Sequence, residues 1–189
     1  METITLWTRQ VPDVWETLCR EEVYQVKEEY IRLKNDTMAD YYLDLYRWYT
    51  RTARRWIALG EDQQYPIWLS LDGQDRLQLV ENTVLLKVVA PKDKVLLCNM
   101  DAWGYRVNYW YVPKDEADEQ AHIRELSRNG IASDDELIST AKGNFYPLLR
   151  DKIKKSWERV FTMTDVPPQQ LSATMWELRK EWVEEVLQG

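Results

Sequence analysis

Two short segments of this sequence place aromatic rings beside hydroxyl and guanidinium groups. They supply the candidate ligand-binding residues Trp7, Thr8, Arg9, Tyr65, Trp68 and Ser70. An indole or phenol ring offers a flat apolar face with a hydrogen-bonding tip, which suits a ligand pocket and a protein core equally well. The pattern therefore predicts a pocket for a flat, polar small molecule. Most of these rings, however, are expected to fill the core.

Further aromatic segments occur later in the chain. One is Asn108 to Tyr111, and another is Lys155 to Glu158, where Trp157 stands between Ser156 and a carboxylate. The chain holds 10 Trp and 11 Tyr but only 2 Phe, so Trp and Tyr replace Phe as its large apolar side chains.

Several kinds of chemistry are excluded by the residues that are missing. His122 is the only histidine, and no motif supplies the nucleophile and orienting acid that a catalytic triad needs. It lies in an acidic helical stretch and is predicted to be a solvated surface residue. One histidine and two distant cysteines make no zinc shell, so no metal site is expected. No glycine-rich phosphate loop is present among the 6 glycines.

The two cysteines indicate the compartment. Cys19 and Cys98 are far apart, and neither belongs to a CxxC pair. Both are predicted to be buried, reduced and inert. The chain also shows no basic and apolar leader at its start and no apolar run of the ~20 residues that would cross a bilayer. We therefore expect a cytoplasmic protein without membrane contact.

Length and charge limit the class further. The 189 residues suggest one domain, 1–189, with a helical surface excursion at about 113–146. The 25 Lys and Arg against 32 Asp and Glu give a formal net charge of −7. General nucleic-acid binding needs a basic surface and is therefore unexpected.

Helices are predicted from apolar residues at three- and four-residue steps and from capping signals. Thr37 and Asp40 suit a capping box, and Gly60 suits the residue after the helix end. Ser172 suits the cap of a final helix. The predicted helices are one from Pro12, Thr37 to Leu59, one from Asp101 that ends before Pro113, Lys114 to Asn129, one from Ser133 to before Gly143, one after Pro147, and one after Ser172. The segment from Trp157 to Met163 suits a helix or a strand.

Strands are predicted at the start and in the middle of the chain from alternation and from Val- and Leu-rich runs. They are Thr3 to Arg9, Ile67 to Leu71, Leu77 to Val80, Thr83 to Val89 and Val95 to Met100. Short connections favour antiparallel pairing of the neighbouring middle strands. The fold class is therefore α+β, a single domain with a mostly antiparallel sheet flanked by helices.

Tryptophan-centred motifs along almost the whole chain resemble the bacterial domain-of-unknown-function family 3841. The motifs are Leu6 to Gln10, Trp15, Tyr65 to Trp68, Lys94 to Leu97, Asp101 with Trp103, Asn108 to Tyr111, Ser156 to Glu158, Ala173 to Leu178 and Glu181 to Val183. This resemblance implies no activity.

The order of polar and aromatic residues is also similar to the layout of ADP-ribosyltransferases. That resemblance implies that Thr8 takes the place of an NAD-contacting histidine and that Trp68 or Tyr65, with Ser70, supports the nicotinamide. It implies that Glu158 is the late catalytic carboxylate. Thr8 lacks an imidazole, and Trp68 stands where a tyrosine is usual.

Two functions follow from the sequence. The first is a non-catalytic binding or interaction module that uses a Trp- and Tyr-rich surface or pocket against a protein or small ligand, with no cofactor. The alternative is an NAD-dependent ADP-ribosyltransferase-like enzyme in which Glu158 is catalytic. Whether the protein is an enzyme is left open between them.

Overall fold

The computed structural model describes residues 2–72 and 80–189. The chain forms two compact units, Met1–Cys98 with Pro167–Gly189 (unit 1) and Asn99–Val166 (unit 2). Among the described residues, unit 1 holds the strands and three α-helices, and unit 2 is helical. The α+β class and the antiparallel pairing are confirmed. That the 189 residues act as a single domain stays a prediction.

The described part of unit 1 is built from short helices and three small sheets. Its helices are α1 (Pro12–Glu21), α2 (Glu28–Asn35) and α3 (Ala39–Ala53), and its strands are β1 (Thr3–Gln10), β2 (Val23–Tyr24), β3 (Ile67–Leu69), β4 (Val84–Pro91), β5 (Leu96–Asn99), β6 (Leu171–Met175), β7 (Leu178–Arg179) and β8 (Val183–Gln188). The sheets have the orders β1-β4-β8, β2-β7 and β3-β6-β5.

The strand partners differ from the predicted ones. β4 pairs antiparallel with β1 and with β8, whereas β5 belongs to the sheet of β3 and β6. Pairing of β4 with its sequence neighbour β5 is therefore wrong. A 3-10 turn, Lys92–Lys94, follows Pro91 and leads the chain into the other sheet. The predicted strand Leu77 to Val80 lies outside the described residues except for its last residue.

The predicted final helix is also wrong, because the chain after Ser172 forms β6, β7 and β8. Ser172 lies within β6 and donates from its hydroxyl to the Leu69 carbonyl at 2.9 Å. The apolar residues that match a helical step also suit these strands, in which Met175 and Leu178 are fully buried. Pairing of β8 with β4 overrides the local pattern, since strand preference depends on the surface that the strand covers.

The long aromatic helix exists but is shorter than predicted. Thr37 lies in a 3-10 turn, Asp36–Met38, and α3 begins after it without a side-chain cap, so the capping box is wrong. The helix ends at Ala53 rather than Leu59. Beyond it the chain curls back, and the Arg54 guanidinium donates to the carbonyls of Leu59 and Gly60 at 2.8 and 2.9 Å.

The core of unit 1 lies between the sheets and α1. Leu6, Leu18, Leu86, Val88 and Met175 are fully buried within one apolar cluster. Tyr49 and Trp176 stack with ring centroids 6.0 Å apart and are buried as well. The interpretation that Tyr and Trp fill the core is confirmed for these two rings.

Unit 2 contains four α-helices, α4 (Met100–Val107), α5 (Glu116–Arg128), α6 (Asp134–Ser139) and α7 (Pro147–Ser156). The Asn99 side chain caps α4 by accepting from Ala102 N at 2.9 Å, so that helix does not begin at Asp101. α5 ends as predicted, and Gly130 adopts the left-handed φ of 64° that such an end favours. Trp157–Phe161 is a 3-10 helix rather than a strand.

His122 is buried in unit 2, so the predicted surface location is wrong. Its Nε2 lies 2.6 Å from Asp134 Oδ1, and its ring stacks on Tyr111 with centroids 4.1 Å apart. The other Asp134 oxygen accepts from Tyr111 N at 2.7 Å. Asp134, 12 residues after His122 in the sequence, contacts the histidine ring where it is buried from solvent. The acidic composition of α5 gives no indication of this partner.

Cys98 is buried, as predicted, but Cys19 is exposed on α1. The prediction for Cys19 is wrong because its neighbour Leu18, rather than Cys19, faces the core. Among the described residues, no helix is long and apolar enough to cross a membrane.

Candidate functional site

Two of the predicted ligand-binding segments meet in unit 1. Trp7 on β1 and Ser70 after β3 form an antiparallel bridge, in which Trp7 N donates to Ser70 O at 3.0 Å and Ser70 N donates to Trp7 O at 2.7 Å. The neighbouring Thr8 hydroxyl donates to the Trp68 carbonyl at 3.0 Å. Residues some sixty positions apart in the sequence are therefore adjacent in the fold.

The hydroxyl groups at this bridge are bound to protein groups. Thr8 is buried, and its hydroxyl also accepts from the Gln10 amide at 2.7 Å. The Ser70 hydroxyl donates to the Asp72 carbonyl at 2.6 Å. The geometry shows these side chains fixing the β1–β3 contact, while Arg9 is exposed beside them. A ligand at these residues stays a prediction.

Trp68 belongs to a row of aromatic rings. Its ring centroid lies 5.2 Å from that of Tyr49 and 6.5 Å from that of Tyr46. Tyr49 in turn stacks on Trp176 inside the core. The half-buried Trp68 ring thus packs at one end of the core aromatic cluster.

Tyr65 lies apart from this bridge, at the wall of a cavity in unit 1. The cavity has a volume of about 410 Å³. Its lining combines three tyrosines with groups of both charges: Thr17, Arg20, Glu21, Val23, Tyr24, Gln25, Val26, Lys27, Glu28, Tyr30, Asp62, Gln64 and Tyr65. We call this cavity the tyrosine pocket.

One wall of the tyrosine pocket is fixed by hydrogen bonds to the carboxylate of Glu28. The Tyr65 hydroxyl donates to Glu28 Oε2 at 2.9 Å, and Arg32 and Arg47 each donate to the same carboxylate at 2.8 Å. The hydrogen bond from Arg32, followed by that from Tyr65, lowers the pKa of Glu28. Burial is the main cause that raises the pKa of Tyr65, helped by the hydrogen bond to Glu28.

Two other tyrosines offer their hydroxyls to the pocket. Neither the Tyr24 hydroxyl nor the Tyr30 hydroxyl has a hydrogen-bond partner among the described side chains and main-chain groups. Burial, with a smaller contribution from Tyr30, raises the pKa of Tyr24 to about 12. Tyr24 is therefore a neutral phenol at physiological pH, with a proton to donate.

The pocket lining includes both residues of β2, Val23 and Tyr24. Within residues 2–72 and 80–189, β2 has β7 as its single strand neighbour. Lys180 N donates to Glu22 O at 2.9 Å, so Glu22 turns its main chain toward β7. Main-chain groups alternate in direction along an antiparallel strand. Val23 and Gln25 therefore present their N–H and C=O groups on the side away from β7.

Glu158, the candidate catalytic residue, belongs to unit 2. It lies in the 3-10 helix Trp157–Phe161 and is half-buried. The residues of the β1–β3 bridge belong to unit 1. A role for Glu158 in catalysis stays a prediction.

The described residues contain no group of three or more His, Cys, Asp or Glu side chains arranged to hold a metal ion. The aromatic and hydroxyl groups of the tyrosine pocket instead suit an organic ligand, through ring contacts and hydrogen bonds.

Comparison with known proteins gives the relationship of the chain but no activity. The model of a family described as a domain of unknown function, DUF3841, matches residues 5–184. The chain belongs to this family. Neither the curated proteins nor the solved structures contain a match. The DUF3841 match covers both units, so the β1–β3 bridge, the tyrosine pocket and the helices of unit 2 all lie within the family region.

The sequence predicts Tyr65 as a ligand-binding residue, but it does not predict the rest of the tyrosine pocket of this DUF3841 protein. Tyr24, Gln25 and Tyr30 fall in the segment from Glu21 to Asn35, whose polar composition indicated no element. Val23 to Val26 do not alternate between apolar and polar residues, so this segment carries no strand signal of period two. Val23 and Tyr24 form β2, and two residues are too few for a pattern of period two to be recognised.

Proposed function

We propose that this protein is a non-catalytic binding module that takes up an extended peptide segment along the edge of β2 that no described strand covers. The observation that carries the proposal is the juxtaposition of that edge with the tyrosine pocket. A free strand edge binds a peptide through main-chain hydrogen bonds, and an adjacent pocket selects its side chains.

The main chain supplies the first part of the recognition. Gln25 N has no hydrogen-bond partner among the described residues, and it points away from β7. An incoming strand would pair with Val23 and Gln25 and would extend the two-stranded sheet to three strands. These bonds need no particular peptide sequence, because every residue except proline carries the donor and the acceptor.

The pocket supplies the second part. Tyr24 and Tyr30 would pack against an apolar or aromatic side chain of the peptide and donate hydrogen bonds from their hydroxyls. Lys27 is exposed at the rim and makes no ion pair with a described residue, so it would attract a peptide carboxylate. The peptide that suits this site is extended, carries a large side chain and has an acidic residue next to it.

The test uses the whole protein and a phage-displayed random peptide library. Peptides selected on the wild-type protein are synthesised with a fluorescent label, and their dissociation constants are measured by polarisation. Gln25→Pro removes the outward N–H, and Gln25→Ala keeps it. Both variants lose the side-chain hydrogen bond from Gln25 to Asp62, which is 3.0 Å long. Tyr24 before the substitution is already extended, as a residue that precedes proline should be.

We expect Gln25→Pro to weaken binding by about tenfold, the effect of one lost main-chain hydrogen bond of about 1.4 kcal/mol, and Gln25→Ala to change it little. Equal effects of the two substitutions would show that the β2 edge does not bind the peptide. If the selected peptides bind the Tyr30→Ala variant as tightly as the wild-type protein, the tyrosine pocket is not part of the binding site.

The β1–β3 bridge favours a second candidate, the NAD-dependent ADP-ribosyltransferase-like enzyme. It brings Trp7 and Thr8 of the first strand next to Trp68 and Ser70, which is one part of the arrangement that this interpretation requires; the other part is Glu158. Under this alternative, NAD quenches tryptophan fluorescence, and Glu158→Gln abolishes NAD consumption without unfolding the protein. Wild-type protein that neither binds nor consumes NAD would exclude the enzyme and leave the binding module untouched.

A further inference from the structure

The helix α7 in unit 2 begins with two apolar side chains that are almost fully exposed. Phe145, just before the helix, is 81% exposed, and Leu148 in its first turn is 86% exposed. Single exposed apolar residues are ordinary, but two large ones three positions apart make this part of the surface a candidate for contact with a partner. This position is independent of the tyrosine pocket, which belongs to unit 1.

The face of α7 that carries Leu148 also carries positively charged side chains. Leu148, Lys152 and Lys155 follow at steps of four and three residues, which places them on one side of α7. We call Phe145, Leu148, Lys152 and Lys155 the α7 surface. The helix carries four Lys or Arg residues and one Asp, in a chain whose net charge is −7. It is therefore a local basic region on an acidic protein.

A cavity of about 340 Å³ opens beside this surface. Its lining is Tyr111, Leu148, Asp151, Lys152, Lys155, Ser156 and Arg159. The Tyr111 ring has Lys152 Nζ 4.9 Å and Arg159 Cζ 5.2 Å from its centroid, while the His122 ring stacks on it. The ring is thus held in place by its neighbours and forms a rigid part of the cavity wall.

The cations around the cavity differ in how they are neutralised. Lys152 is paired with Glu125 at 2.6 Å, and Arg159 is paired with Asp118 at 3.3 Å. Lys155 makes no ion pair with any residue that the structure describes, and it is exposed at the cavity rim. It is the cation that a carboxylate of a partner would meet first.

We infer that the α7 surface docks a protein segment in which Asp or Glu residues flank a large apolar side chain. The apolar side chain would cover Phe145 and Leu148, and a carboxylate would pair with Lys155. A side chain of such a segment could enter the cavity, whereas a flat bilayer surface would leave it unfilled. These features favour a peptide over an anionic membrane as the occupant.

The test measures binding of a defined probe to the full chain. The probe is a fluorescein-labelled peptide, Glu-Glu-Leu-Glu-Glu-Phe-Glu-Glu-Leu, and its control carries Gln in place of every Glu. Lys155→Glu reverses the charge at the cavity rim. Lys154→Glu makes the same change on the neighbouring exposed residue, which does not line the cavity. Both substitutions place an anion in the last turn of α7, so they affect the helix equally.

We expect the acidic peptide to bind the wild-type protein and the Gln peptide to bind much more weakly. Lys155→Glu should raise the dissociation constant by at least about tenfold, because it turns an attractive pair into a repulsive one. Lys154→Glu should have a clearly smaller effect. A peptide in which Lys replaces Glu should bind Lys155→Glu better than it binds the wild type.

Three outcomes would overturn the proposal. The first is that the wild-type protein binds neither peptide, and the second is that Lys154→Glu and Lys155→Glu weaken binding equally. The third is that vesicles containing phosphatidylserine bind the wild type through Phe145 and Leu148 while the peptide does not, which would identify a membrane contact. Loss of acidic-peptide binding in the double variant Phe145→Ser with Leu148→Ser, with an unchanged circular dichroism spectrum, supports the proposal.

Discussion

At the scale of single residues, His122 and Asp134 form a buried polar pair in unit 2. The Asp134 carboxylate accepts from the His122 ring on one oxygen and from Tyr111 N on the other. Both groups lie away from water, so each depends on the other for its hydrogen bond. The pair joins α5 to α6 and also holds the segment that carries Tyr111.

We predict that Asp134→Ala lowers the free energy of unfolding by about 3 kcal/mol, because it leaves the His122 ring and Tyr111 N buried without their acceptor. The matched control is Asp135→Ala, the next residue of the same helix, which is half-buried and has no such partner. Urea unfolding measures both. Equal losses would show that the charge at the start of α6, rather than the pair, provides the stability.

Tyr24 gives a pH-dependent prediction at the same scale. Burial raises its pKa from 10.0 to about 12, so the folded protein keeps the phenol proton that the unfolded chain has lost. Its contribution to the free energy of unfolding is therefore complete below pH 10 and is lost as the pH rises toward 12.

Tyr24→Phe should remove one of the tyrosinate signals that appear near pH 12 in an absorbance titration. The variant should also lose less stability than the wild type between these pH values. An unchanged titration curve at high pH would show that Tyr24 does not ionise there.

At the scale of elements, the end of α1 carries a strained residue. Glu22 has a φ of 63° in the left-handed region, and its N–H donates to Leu18 O at 3.1 Å to close the helix. A residue with a Cβ atom is disfavoured there, whereas glycine is not. The strain lies directly before β2, so it also sets the direction in which that strand leaves the helix.

We predict that Glu22→Gly raises the free energy of unfolding by roughly 0.5 kcal/mol, while Glu21→Gly, inside the helix, lowers it by roughly 0.5–1 kcal/mol. Both residues are exposed, so the difference reports on the backbone. Thermal unfolding of the two variants measures it. A loss of stability in both would mean that the Glu22 side chain, 3.5 Å from Lys180, contributes more than the strain costs.

The elements also show how far the sequence could predict the structure. β1, α1, α5 and α7 were predicted because their apolar periods and their Pro or Gly signals are local. The segment of β6 to β8 was predicted as a helix because its strand partners, β2, β3, β4 and β5, are all distant in the sequence. Tyr65 was identified as a candidate, but the pocket beside it depends on β2, whose two residues pair with β7 more than 150 residues later.

At the scale of the whole molecule, the two units are expected to unfold together if the chain is a single domain. Trp176 is buried in unit 1 and Trp157 is buried in unit 2, so hydrogen exchange of the amides around them can monitor each unit. We predict coincident urea transitions for the amides around these two residues. Two separate midpoints would show that the units are separate folding domains.

The sheet β1-β4-β8 has a consequence for how the chain is made. β4 lies between a strand from the beginning of the sequence and β8, which is translated after all of unit 2. The helices of unit 2 are contiguous in the sequence, so they can form while synthesis continues. The edge of β4 that binds β8 stays unpaired until the last strand has been synthesised. During that interval the nascent protein exposes a Val- and Leu-rich strand edge, which can pair with other chains until β8 covers it.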